Sequence, residues 1–161
     1  MYQPSALQSG SVALRERAQG GIDALRAGYQ HDDEVKIRDG VTRLAGLGPG
    51  LTPAGDDFLV GLLAALHGYR RPMQEDQTRF CQRIAQTAAP LTTQLSAHWL
   101  HHAGQGDFGE AWHQLIIALN SGATDAITTA AHRILTTGAT SGVDAMNGFL
   151  FGISLLQETG D

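Results

Sequence analysis

Three aspartates carry the chemistry that this sequence offers. Asp56 and Asp57 close the run "GLGPGLTPAGDD" over residues 46–57, and Asp144 closes "TGATSGVD" over residues 137–144. Both runs are rich in glycine and hydroxyl side chains, and each leads into a long apolar stretch. Laid side by side, "AGDDFLVGLL" and "SGVDAMNGFL" share the pattern G-x-D-x-x-x-G-x-L. Gly55, Asp57, Gly61 and Leu63 thereby match Gly142, Asp144, Gly148 and Leu150.

Glycine-rich turns and helix starts leave backbone N–H groups free to meet phosphate or carboxylate. Carboxylates in the same place accept N–H groups from a ligand or hold a divalent cation. On that reasoning Asp57 and Asp144 are the catalytic candidates, and Gly48, Gly50, Thr52, Gly55, Asp56, Thr140, Ser141 and Gly142 are the substrate-binding candidates. Adjacent side chains on a helix project about 100° apart, so only one of Asp56 and Asp57 faces a given cleft. The repeat selects Asp57 and leaves Asp56 to cap the helix. A purely structural role competes at both sites. Thr52 followed by Pro53 suits an N-cap and first helical position, and "SGVD" reads as a capping box between Ser141 and Asp144. A single first-turn aspartate would complement the helix dipole by ~0.3–1 kcal/mol; two adjacent ones exceed that need.

Three chemistries fit these residues: Mg²⁺ bridging to phosphate, a carboxylate pair orienting a nitrogenous group such as an amide or carbamoyl, and a structural polar cluster. The loop has no lysine and does not match the phosphate-loop pattern G-x-x-x-x-G-K-[ST]. No metal site is read from the sequence, and the residues call for no cofactor, Mg²⁺ being the one candidate. Arg43 and Arg133 are the nearest local cations. His98, His101 and His102 stand at i, i+3 and i+4, yet no H-E-x-x-H pattern accompanies them. His102 falls on the apolar stripe of Leu91, Leu95 and Trp99, so these histidines are read as surface or partly buried residues. Ser96 has no evident base beside it, which argues against a nucleophile.

The elements that position these residues are helical. Apolar residues recur at helical spacing almost throughout and period-2 alternation is nearly absent, which predicts an all-α fold. A first helix is expected from about Val12 to Tyr29, and a second carries Ile37, Val41, Leu44 and Ala45. "DDFLVGLLAALHGY" is apolar nearly all round, and Pro72 ends that region. Further helices centre on Phe80, Ile84 and Ala88; on Leu91, Leu95 and Trp99; on Trp112, Leu115, Ile116 and Leu119; and on Ile127, Ala130, Ala131 and Ile134. Thr92 or Thr93 is the expected cap of the second of these. "GQGDFG" and "NSGATD" are turns. "DAMNGFLFGISLLQ" closes the pattern. The expectation is one helical domain over residues 1–161, a bundle with two central buried helices at about 58–68 and 144–157.

Composition narrows the function classes. The formal charge is −5 and the eleven Lys and Arg are scattered, which speaks against nucleic acid binding. The single Cys81 excludes a disulfide scaffold. The first ten residues lack a signal peptide's pattern, and the longest apolar stretch, Phe58 to Leu66, is too short for a bilayer. A soluble, cytoplasmic protein with no membrane partner is expected.

Three stretches together, "GLGPGLTPAGDDFLVGLLAAL", "LTTQLSAHWLHHAGQGDFGEAWHQLIIAL" and "TGATSGVDAMNGFLFGI", resemble a bacterial family long listed as of unknown function and now associated with a subunit of oxamate carbamoyltransferase in anaerobic allantoin breakdown. The resemblance spans roughly residues 40 to 157. It implies a transferase role in purine catabolism: converting oxalurate and phosphate to oxamate and carbamoyl phosphate, with partner subunits of a transferase complex or as a homo-oligomer. It also implies that this chain corresponds to the carboxy-terminal part of a longer family architecture. Two other classes compete: a noncatalytic scaffold or metabolite-binding module, and a Mg²⁺-dependent hydrolase.

Overall fold

The structure, a computed structural model, describes residues 6–68 and 75–158, and all regular structure among them is helical. Helix α1 spans Ala6–His31 and α2 Glu34–Leu44; α3 spans Ala54–Gly68 and α4 Glu75–Ala88. A 3₁₀ turn, Ala89–Leu91, leads to α5, Gln94–Gly104, followed by α6, Glu110–Ser121, α7, Thr124–Leu135, and α8, Ser141–Glu158. Each expected helix is present. The first is longer than its apolar pattern, and the central pair begins a few residues earlier than expected. Pro72, the expected stop after α3, lies outside the described residues.

Local chemistry sets several boundaries. Asp33 caps α2 by accepting the Val35 and Lys36 N–H groups, and Thr93 caps α5 by accepting the N–H of Ser96 at 3.1 Å. The turn after α6 is closed by Gly122 in the left-handed region, φ 72°. The caps proposed for the central helices differ from those found. Helix α3 starts one residue late, with the Pro53 carbonyl accepting the Asp57 N–H at 3.1 Å, and α8 starts from the Thr140 carbonyl, which accepts the Asp144 N–H at 3.0 Å. Thr52 and Ser141 are thereby released from capping, and their hydroxyls face one another instead, 3.1 Å apart.

Helices α3 and α8 form the axis of the bundle. Their crossing is a close backbone contact: a Cβ on Gly61 would fall 1.7 Å from the Ala145 carbonyl oxygen, and one on Gly148 would fall 1.8 Å from that of Phe58. The two contacts relate equivalent positions of the repeat, since Phe58 and Ala145 each follow their aspartate by one residue. Two apolar clusters flank the axis. One joins α3 to α1, α2, α4, α5 and α8 through Leu25, Val41, Leu59, Ile84, Leu100 and Leu155; the other joins α3 and α8 to α6 and α7 through Ala64, Leu115, Ile134 and Phe149. A helix wrapped on both sides must be apolar nearly all round, which accounts for the sequence of α3.

Helix α5 departs from expectation. Its buried side is Ser96, Leu100, Ala103 and Gly104, whereas Leu91, Leu95 and Trp99 are 46%, 43% and 54% exposed. The buried face uses small residues because α4 approaches closely: a Cβ on Gly104 would lie 2.7 Å from that of Ala85.

Candidate functional site

The loop before α3 doubles back on itself. Gly46, Gly48 and Gly50 all adopt left-handed φ values of 67°, 118° and 101°, a conformation that L side chains rarely take. The turn is held by Asp56, which is fully buried: it accepts the Gly46 N–H at 2.9 Å and the Thr92 hydroxyl. The Leu51 carbonyl accepts the Thr93 hydroxyl at 2.6 Å, anchoring the loop tip to the start of α5. Asp56 is therefore a staple between α3, the loop and α5, and it neither caps its own helix nor lines a cleft. That corrects both sequence roles given to it. The expected anion-binding use of the Gly55 N–H also needs correction, and the N–H of the candidate Gly142 is likewise engaged. Gly55 donates to the Leu47 carbonyl at 2.9 Å and Gly142 to that of Thr137 at 3.0 Å, each fixing the preceding turn.

Asp57 points the other way, into a cavity of about 420 Å³. Helix α3 contributes Asp57 and Val60, α8 contributes Ser141, Gly142 and Ala145, and Thr52 joins them from the loop. The opposite wall is aromatic, with Trp99 from α5, Phe108 from the α5–α6 turn and Trp112 from α6. His67, in the last turn of α3, lies edge-on to Phe108 at 5.7 Å between ring centres and so helps to position that turn. Asp107 and Glu110 add two more carboxylates at the rim, and no Lys or Arg is among the cavity's lining residues. Asp107 also meets the His102 ring at 2.9 Å.

The electrostatics single out Asp57. Burial pushes its carboxyl from 3.8 up to about 6; the Ser141 hydroxyl opposes that rise, and the charges of Asp144 and Asp56 add to it. Its Oδ2 is buried with no hydrogen-bond partner. Asp144 is also raised, by burial foremost, with a hydrogen bond from Thr140 holding it back. Asp144 stands behind the cavity as a neighbouring charge, outside its lining. Thr140 is exposed and serves Asp144, while Gly48 and Gly50 lie away from the cavity. Of the ten candidate residues, Asp57, Thr52, Ser141 and Gly142 come together on its wall.

The cations proposed nearby are engaged elsewhere. Arg43 pairs with Asp39 at 2.8 Å, and Arg133 donates to the Gln114 side chain at 2.8 Å. The histidines form a surface row: the His98 and His102 rings lie 4.5 Å apart, and His101 is exposed beside Gln105. Among the described residues, no three His, Cys, Asp or Glu side chains converge to hold a metal ion, and no helix is long and apolar enough to cross a membrane. A second groove of about 570 Å³ lies between α2 and α4, lined by Ile37, Val41 and Ile84. It contains none of the residues selected from the repeat.

Residues 44–153 match the sequence model of a family described as oxamate carbamoyltransferase subunit AllH. The chain belongs to the AllH family. The matched segment runs from the end of α2 into α8, so it includes both glycine loops, all three aspartates and every wall of the cavity. An AllH-type chain is thus tied to carbamoyl transfer as one subunit of an enzyme. No solved structure matches the chain.

What the arrangement offers an AllH protein is a cleft of hydroxyls, aromatic faces and carboxylates. Such a surface accepts N–H groups and stacks on planar ones. It is poorly suited to a bare anion, since carboxylates repel phosphate without an intervening cation. Sequence reasoning missed the aromatic wall. Trp99 and Trp112 were read as core stripes of separate helices, and only the turn "GQGDFG" between them hinted that they share one cavity wall.

Proposed function

We propose that this AllH-family chain contributes the carbamoyl-binding cleft of a transferase that interconverts oxalurate plus phosphate with oxamate plus carbamoyl phosphate. The observation that carries the reading is the Asp57 carboxyl, which lines a cavity flanked by hydroxyls and tryptophans and whose buried Oδ2 has no hydrogen-bond partner. Such a carboxyl fits the amino hydrogens of a carbamoyl group. A planar amide lies against the wall that Trp99 and Trp112 share, with Thr52 and Ser141 beside its carbonyl oxygen.

In the direction of oxalurate breakdown, a phosphate oxygen bonds to the carbamoyl carbon as the bond to the oxamate nitrogen breaks. That nitrogen must gain a proton to leave, and monohydrogen phosphate must lose one. Asp57 is suited to carry it between them, because a carboxyl titrating near 6 is both a usable acid and a usable base around neutrality. Asp144 acts through Asp57, its negative charge helping to keep that pKa high. Asp57→Asn in the reconstituted transferase should lower turnover by ~10²-fold or more, the usual scale for a lost proton-transfer group. Unchanged turnover with a native helical spectrum would remove Asp57 from the chemistry.

A further inference from the structure

The cavity has an acidic rim and lacks a cation, yet the proposed reaction handles a phosphate and a carboxylate. Immediately beside it lies a group of exposed apolar side chains. Leu95 and Trp99 follow one another at helical spacing on the outer face of α5, and Leu91 ends the 3₁₀ turn just before it; all three are exposed. Leu51, 73% exposed, joins them, because the Thr93 hydroxyl, and more distantly that of Ser96, bind its carbonyl and hold the loop tip against α5. Trp99 belongs to both the stripe and the cavity wall, so the apolar face runs up to the opening. A contiguous exposed apolar surface rimmed by charge is characteristic of a protein–protein contact.

We infer that this face, Leu51–Leu91–Leu95–Trp99 with the acidic rim of Asp107 and Glu110, docks a different polypeptide that presents an Arg or Lys to the cavity mouth. The charges favour a different chain over a second copy: the protein carries −5 overall, and two copies meeting here would bring their acidic rims together. A basic side chain from the partner would sit against Asp107 and Glu110 and supply the positive charge that phosphate and oxalurate need. The inference rests on the carbamoyl-transfer reading for the need of a cation, while the docking face itself stands on exposure and continuity with the cavity.

The test uses the full-length chain and the other subunits of its transferase, purified separately and titrated by light scattering and calorimetry. Leu51→Glu with Leu95→Glu should weaken association at least tenfold, with the melting temperature of the isolated chain unchanged. Asp107→Lys with Glu110→Lys should weaken it similarly and flatten its dependence on salt. Val35→Glu, an equally exposed apolar position on α2, should leave association unchanged. Retained association in the first two variants, equal loss with Val35→Glu, or failure of the wild-type chain to associate at all would each overturn the docking face. So would a homodimer of the isolated chain that Leu95→Glu dissociates. Loss of association by the face variants, in a chain whose cleft binds no carbamoyl compound, would keep the docking face and sink the transfer reading alone.

Discussion

Gly61 meets the carbonyl oxygen of Ala145 with no room for a side chain, a Cβ there falling 1.7 Å from it. The contact fixes how deeply α3 and α8 interlock, and with it the separation of the aspartates at their starts. The obstruction is backbone, which cannot swing aside as a side chain tip would. Gly61→Ala should therefore destabilise by at least ~3 kcal/mol, at or beyond the upper end of ordinary overpacking, a fall in melting temperature of roughly 6–12 °C for a chain of this size. A melting curve within 2 °C of wild type would show that the helices can part there at little cost.

Asp56 and Asp57 are neighbours with opposite duties, and their variants should separate cleanly. Asp56→Ala leaves the Gly46 N–H and the Thr92 hydroxyl without their acceptor and should cost roughly 2–4 kcal/mol. Asp56→Asn keeps one acceptor oxygen and should cost less. Asp57→Asn should leave the fold intact. Chemical denaturation of the three variants checks the order, and equal losses at positions 56 and 57 would contradict it.

Stability should carry the mark of Asp57 in its pH dependence. A carboxyl raised in the folded chain to about 6 from 3.8 binds its proton more readily folded than unfolded. Between about pH 4 and pH 6 the carboxyl therefore makes the fold progressively less stable as pH rises, and above 6 the penalty is complete. Asp57→Asn removes it. The variant's stability relative to wild type should grow across that window and then level off, by roughly 1 kcal/mol once solvent screening is allowed for. A difference constant from pH 4 to 7 would show that Asp57 titrates as an ordinary carboxylate.

Both tryptophans of the chain line the cavity. Tryptophan fluorescence, excited beyond the tyrosine band, is therefore a reporter of occupancy with no competing tryptophan elsewhere. Oxamate or carbamoyl phosphate should shift the emission saturably in the wild-type chain, more weakly with Asp57→Asn, and not at all with Trp99 and Trp112 both replaced by Phe, where the tryptophan signal is absent. An emission spectrum indifferent to every carbamoyl compound would speak against ligand entry into the cavity.

How far the sequence could be read varied by element. The central helices were legible because a helix covered on both sides has no polar face to conceal it, and the G-x-D repeat marked where they cross. Helix α5 was misphased for a physical reason: the bulky residues Leu91, Leu95 and Trp99 face outward, while the buried side is Ser96, Leu100, Ala103 and Gly104, the last in tight contact with α4. At the site, the repeat distinguished Asp57 from Asp56 by position but said nothing of burial. The bonds that hold Asp56 come from Gly46 and from Thr92, on a different element, so spacing within one segment does not reveal them. Trp99, Phe108 and Trp112 were hidden likewise, since the cleft is made between helices.

The reciprocal crossing of α3 and α8 also has a consequence for how the protein is made. Helix α3 emerges from the ribosome with apolar residues on nearly every side, and the helix that covers its deepest face is synthesised five helices later. Through that interval the nascent chain exposes Phe58, Leu62 and Ala65 to whatever is nearby. Truncation before α8 should thus yield an aggregating fragment, and a chaperone that shelters α3 would decide how much of the protein reaches its native form.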